Sequence, residues 1–185
     1  MIYLLRHGLD DENYIGGYSD IRLIDEGKRQ VEAAIPILIE KCKFDRIVSS
    51  DIERAKETAN IVSERINVPV EYNQDLRELN KGLLNGMLKE KAKIIYPEYM
   101  NVNDINTRYP EGESMLDFYK RINESLDRIL KLDNALLVTH RGVINMLYFI
   151  LNNIPLDMDK EKFGVTHASL HEINPKQKTI RKVEK

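Results

Sequence analysis

Four short runs of apolar and β-branched residues, at 2–5, 46–48, 68–72 and 135–138, are separated by longer stretches of helical periodicity. That alternation constrains the chain more than any other feature. Such runs suit strands buried on both faces, and strands alternating with helices build a mostly parallel sheet with helices on either side. The helical stretches carry clear apolar stripes. Val31, Ala34, Ile35, Leu38, Ile39 and Cys42 share one face, with Pro36 inside the pattern predicting a kink or a break. Ile52, Ala55, Ala59, Val62 and Ile66 form a second stripe, and Phe118, Ile122, Leu126 and Ile129 a third, opened by Glu113 and Ser114 after a Pro-Glu-Gly turn. Near the end, 168–173 and 179–183 read as an edge hairpin turned at Asn174 and Pro175. The predicted fold is α/β, a three-layer sandwich around a mostly parallel central sheet.

A chain of 185 residues can bury one core, so a single domain over 1–185 is expected. Within it, 79–110 holds two turn glycines, several lysines and Tyr96, Tyr99 and Tyr109, and reads as a lid or specificity excursion over one end of the sheet. No window approaches the ~20 apolar residues that cross a bilayer, and Arg6 interrupts the N-terminal apolar run before it can serve as a signal peptide. A cytoplasmic protein without membrane contact is expected. Its 28 Lys and Arg against 30 Asp and Glu leave a net charge of -2, which argues against nucleic acid as partner. The lone Cys42 falls on an apolar stripe and reads as a small core residue.

Chemistry gathers where the strands end. Arg6-His7-Gly8 follows the first strand; Ser49-Ser50-Asp51, with Arg54 a turn later, follows the second; Thr139-His140-Arg141-Gly142 follows the run ending at Val138. In an open parallel sheet these C-terminal ends point the same way, and ligands bind in the crevice there. Two histidines with two or three arginines suit a phosphate group, because guanidinium forks match phosphate oxygens and glycine admits close backbone N–H approach. Arg6 and Arg54 balance a phosphomonoester dianion. His7 is the expected nucleophile, with Gly8 leaving room for in-line approach, and His140 is expected to stabilise the equatorial oxygens, best when protonated. Glu78, in Asp75-Leu76-Arg77-Glu78-Leu79, is the candidate general acid that later activates water.

These residues, taken in order, resemble the histidine phosphatase superfamily, the phosphoglycerate mutase-like proteins, in its compact single-domain branch. Arg6, His7 and Gly8 match the Arg-His-Gly signature; Ser49, Ser50, Arg54, Ala55, Thr58 and Ala59 match the arginine motif. Leu76, Arg77 and Glu78 match the acid motif, Pro110, Gly112, Glu113 and Ser114 the Pro-x-Gly-Glu-Ser element, and His140 the second histidine. The resemblance implies a phosphohistidine intermediate on His7, a pocket of Arg6, Arg54 and His140, and Glu78 as proton donor, with no cofactor or metal. It also implies that Asn13 contacts phosphate and that Gly16 and Gly17, with Asp20, form the turn toward the first helix. Leu9 and Asp10 depart from the family pattern, as does Arg141 after the second histidine, where it is expected to contact substrate beside Gly142.

Each residue also has an ordinary reading. A single histidine at a strand end is usually structural, Arg54 is by default a solvated charge, and Glu78 could pair with Arg77 or Lys81. His167 and His171 alternate as in a strand and read as structural, and Lys81, Lys89, Lys91 and Lys93 as a solvated helix face. Tyr96, Tyr99 and Tyr109 either line a specificity pocket or pack the lid. The expectation is a metal-independent phosphatase acting on phosphomonoesters, most simply a small phosphorylated metabolite, with a phosphohistidine protein as the other partner considered. A phosphoglycerate-mutase-type phosphotransferase and an inactive phospho-ligand binding module are the alternatives. Monomer and homodimer are both compatible with the sequence.

Overall fold

The computed structural model describes residues 1–183; Glu184 and Lys185, included in the expected domain 1–185, lie outside the described residues. Six strands form one sheet: β1 (Ile2–Arg6), β2 (Arg46–Ser49), β3 (Val70–Tyr72), β4 (Ala135–Thr139), β5 (Leu170–Asn174) and β6 (Thr179–Lys182), in the order β3-β2-β4-β1-β5-β6. β1, β2, β3 and β4 pair in parallel, while β5 runs antiparallel to β1 and β6 antiparallel to β5. Five helices complete the fold: α1 (Asp25–Lys41), α2 (Glu53–Ile66), α3 (Lys89–Ile95), α4 (Met115–Leu130) and α5 (Arg141–Leu151).

Successive strand side chains point to opposite faces, and the core divides accordingly. Ile2 and Leu4 of β1 join Phe118, Ile122 and Ile129 of α4 and Val143 and Leu147 of α5. Tyr3 and Leu5 face Val31, Ile35 and Leu38 of α1 and Ala55, Ala59 and Val62 of α2. Every residue of β1 and β4 is buried. At about 1.5–3 kcal/mol for each large apolar side chain removed from water, these central strands are the firmest platform in the molecule. Ser114 and Asp117 close a reciprocal capping box that starts α4 where the sequence placed it.

Three local expectations change. The run at 68–72 forms only a three-residue edge strand after Pro69, with Tyr72 half exposed, because β3 has a single neighbour and no outer partner. α1 continues through Pro36, which lies on its exposed side, where a carbonyl that loses its helical donor is hydrated. Ile39, assigned to the apolar stripe, also faces solvent, whereas Cys42 is buried as expected. The hairpin forms, but β5 starts at Leu170 because Ala168 adopts φ 51 and turns the chain.

Candidate active site

The ends of β1, β2 and β4 are locked together by backbone hydrogen bonds from His7 N–H to the Thr139 carbonyl and from Ser50 N–H to the Val138 carbonyl, each 2.9 Å. The opening above them is a cavity of about 340 Å³. His7 is 4 % exposed. Its Nδ1 lies 2.7 Å from the Gly8 carbonyl, a contact that requires the proton on Nδ1 and leaves the Nε2 lone pair free of hydrogen. Arg54 donates its Nε–H to that Nε2 at 3.3 Å. Burial, then Arg54, His140 and Arg6, hold the His7 imidazole well below the usual histidine range, so it is neutral at physiological pH.

Two guanidiniums flank the imidazole. Arg54, 2 % exposed, is held by the Gly17 carbonyl at 3.0 Å, Ser19 Oγ at 3.3 Å and Asp10 at 3.4 Å. Arg6 donates to the Val165 carbonyl at 2.8 Å and to His167 Nε2 at 2.6 Å. Burial and then Arg141 push Arg6 down to about 10, so it keeps its charge at neutral pH. Thr58, one turn after Arg54, accepts the Gly8 N–H at 3.2 Å and donates to the Arg54 carbonyl at 2.8 Å, tying the helix to the loop that carries His7. Arg54 is therefore a buried site residue and not a solvated charge.

Glu78 reaches the same cavity from another connection. Its carboxylate accepts the Leu79 N–H at 2.9 Å and the Gly142 N–H at 3.1 Å. A Cβ at position 142 would collide with that carboxylate, so the glycine makes room for Glu78. Arg77 pairs with Asp51 instead of Glu78. Behind the loop, Arg121 holds the Glu78 carbonyl at 3.0 Å and Glu113 at 2.6 Å, while Glu113 also accepts the Asn80 N–H at 2.8 Å. This brace is the physical content of the Gly-Glu-Ser element.

His140 is completely buried, its ring 5.1 Å from that of His7 and its Nε2 2.9 Å from Ser50 Oγ. It stands behind His7 and is absent from the cavity wall. Burial and then the charges of Arg54 and Arg6 hold it well below the usual histidine range, whereas the protonated form was expected. Among the described residues, Arg6 Nε, His140 Nδ1 and Asn145 Oδ1 are buried polar atoms without a hydrogen-bond partner.

These observations meet a family. A profile described as the histidine phosphatase superfamily, branch 1, matches residues 2–184. The chain belongs to that superfamily. Phosphoglycerate mutase-like protein 4 of Arabidopsis thaliana is 34% identical over 158 residues, covering 80% of this chain and 69% of the relative. A probable phosphoglycerate mutase of Escherichia coli is 29% identical over 83% of this chain and 75% of its own. Among solved structures, the alpha-ribazole phosphatase of Shigella flexneri superposes with a TM-score of 0.79 at 25% identity, covering 98% and 94% of the two chains. A mycobacterial glucosyl-3-phosphoglycerate phosphatase does so with 0.75 at 25% identity, covering 98% and 95%.

In this member of the superfamily, Arg6, His7, Arg54, Glu78, Gly16, Gly17, Arg141 and Gly142 all line the cavity. Asn13 does not; it is exposed and its amide donates to Asp11 at 2.9 Å. Gly8 is also off the wall. A Cβ there would strike the Gly27 backbone and Val31, so its smallness serves the packing of α1 and not in-line access. Arg141 pairs with Glu161 at the cavity edge. Asp10 and His167 were not assigned to the site from sequence, yet both are in it. His167 follows Val165 in a turn stapled to β1 through Arg6 N–H to Ser169 carbonyl, 3.1 Å, and Ala168 N–H to His7 carbonyl, 3.3 Å. His7, Asp10 and His167 bring one donor atom each within 4.8 Å of one another. Both imidazole lone pairs already accept guanidinium N–H groups, and a metal ion there would face two fixed cations. No helix among the described residues is long and apolar enough to cross a membrane.

Proposed function

We propose that the chain is a metal-independent phosphomonoesterase that passes the phosphoryl group through His7. The observation that supports this best is the neutral His7, its Nε2 lone pair facing the buried Arg54 guanidinium, with Arg6 and the Glu78 carboxylate on the same cavity. Membership of the superfamily and the solved neighbours indicate phosphatase or mutase chemistry. In the first step Nε2 attacks phosphorus, the bond to the ester oxygen breaks, and protonated Glu78 gives that oxygen its proton. In the second, Glu78 takes a proton from water, the water oxygen attacks phosphorus, and the P–N bond breaks to restore His7 and release phosphate. Arg6 and Arg54 balance the dianion throughout, while His140, off the cavity wall, supports the His7 ring 5.1 Å away.

A cavity of about 340 Å³ suits a small phosphorylated metabolite better than a folded phosphohistidine protein. A phosphotransferase of the mutase type is the second reading, favoured by the names of the curated relatives. The lid over 79–110 gives it Tyr99 and Tyr109 as walls against water. The test uses an aryl phosphate with chelator present. The wild-type chain is expected to release phosphate and, after an alkaline denaturing quench, to retain label on His7; His7→Ala loses both. Undiminished turnover by His7→Ala rejects the phosphohistidine route. Transfer to an added polyol in excess of phosphate release selects the mutase reading, and phosphate binding without any labelling selects an inactive binding module.

A further inference from the structure

The cavity also carries cations that the proposed phosphoryl steps leave unused. Lys81 comes from the turn after Glu78 and Lys160 from the connection between α5 and β5, and both line the cavity that holds His7. Among the described residues neither ammonium has a hydrogen bond or an ion pair, while both backbones are fixed. Lys81 N–H donates to Asn85 Oδ1 at 2.9 Å, and the Lys160 carbonyl accepts from Asn145 Nδ2 at 2.9 Å. The Lys81 ammonium sits 5.8 Å from the centre of the Tyr109 ring. Burial, then Lys160, push Lys81 down to about 8, against the opposing pull of the Glu78 carboxylate.

Most of the nearby acids have other partners. Asp157 pairs with Lys162, Asp159 accepts the Glu161 N–H at 3.0 Å, Glu161 pairs with Arg141, and Asp10 with Arg54. Glu78 is turned to the Gly142 N–H, and Glu12 and Lys89 are exposed on the wall. Asn145, 4 % exposed, adds a buried acceptor, Oδ1, that no protein group satisfies.

We propose that Lys81 and Lys160 form a second anion subsite, so that the preferred substrate is a phosphomonoester whose body carries another anionic group, carboxylate or phosphate, beside a hydrogen-bond donor for Asn145. The proposal rests on the phosphatase reading only for what occupies the first phosphate position. It also gives the lysine-rich turn after Glu78 a role that a solvated face would not have.

Binding of non-hydrolysable benzylphosphonates separates the two ideas. Titration calorimetry compares 3-carboxybenzylphosphonate with its uncharged isostere, 3-carbamoylbenzylphosphonate. The wild-type chain is expected to favour the carboxylate by roughly tenfold at low ionic strength, less as salt is added. Lys81→Met and Lys160→Met should each cut that ratio by roughly threefold to fivefold, and the double variant should remove it. Lys160 is exposed, so its variant folds whatever the outcome at Lys81. Equal affinities in the wild-type chain, or a ratio unmoved in both variants, overturns the subsite. Phosphonates that bind with the expected ratio to a chain that hydrolyses no aryl phosphate would leave the subsite standing and reject the phosphatase reading.

Discussion

The two ends of the cavity are built differently. At the phosphate end, His7, Ser50 and His140 follow directly on strands whose backbones bond to one another, and Arg54 is two residues into the helix that begins after β2. At the far end, Lys81, Tyr99, Tyr109 and Lys160 come from connections steadied by side-chain contacts, such as the Tyr99 and Tyr109 rings 5.7 Å apart. The sheet thus fixes the groups that the proposed reaction brings to phosphorus, where misplacement of about 1 Å is costly. Connections can vary without moving those groups, which suits them to choosing the substrate body.

The sharpest way to break this division is at the phosphate end. His7→Ala removes the proposed nucleophile and is expected to lower kcat by roughly 10⁴-fold or more toward an aryl phosphate, read by phosphate release. Arg54→Ala should cost about 10²–10³-fold, because one preorganised cation is lost from the transition state. Gly142→Ala tests whether the Glu78 position depends on a missing methyl group. The added Cβ displaces the carboxylate, so the variant should match Glu78→Gln, with a loss of about 10²-fold for substrates with poor leaving groups and little for activated ones. A uniform loss across leaving groups would instead make Gly142 a packing residue alone.

The same division explains what could be read in advance. Strand-end motifs are local in sequence and their convergence follows from parallel topology, so Arg6, His7, Arg54, Glu78 and the α/β layering were all legible. Lys81 and His167 were not. A lysine in a polar connection looks solvated until Tyr109 and Lys160 are brought against it from elsewhere in the chain. His167 and His171 read as one alternating strand, but the positive φ of Ala168 breaks the alternation and sends them to different surroundings. Gly8 read as open space beside the phosphate, whereas its neighbour in space is Gly27 of α1.

At the border between the two ends, His167→Ala should be milder. It removes an acceptor from Arg6, not the charge itself, and is expected to raise KM by roughly fivefold with a smaller change in kcat. His167→Gln, whose amide oxygen accepts the same N–H, should recover most of that loss. Burial and then Arg6 push His167 down to about 4, so in the free protein it acts as an acceptor throughout the neutral range.

The smallest effect on catalysis belongs to His171, which is fully buried with Tyr148 and Ser169 hydroxyls each 2.9 Å from a ring nitrogen. Burial, then Lys182, push it down to about 4 from an ordinary 6.5. A folded-state value below the unfolded one means that the unfolded chain binds the proton more readily. Its contribution is therefore fully present above pH 6.5 and is lost as pH falls toward about 4, an effect of order 3 kcal/mol. His7, His140 and His167 shift in the same direction, so the wild-type chain should lose stability steeply over that window. His171→Phe should flatten the slope of unfolding free energy against pH by up to about 1.4 kcal/mol per pH unit, while kcat at neutral pH stays near the wild-type value. An unchanged slope would show that His171 titrates alike in both states, and the steepness would then belong to the three histidines of the phosphate end.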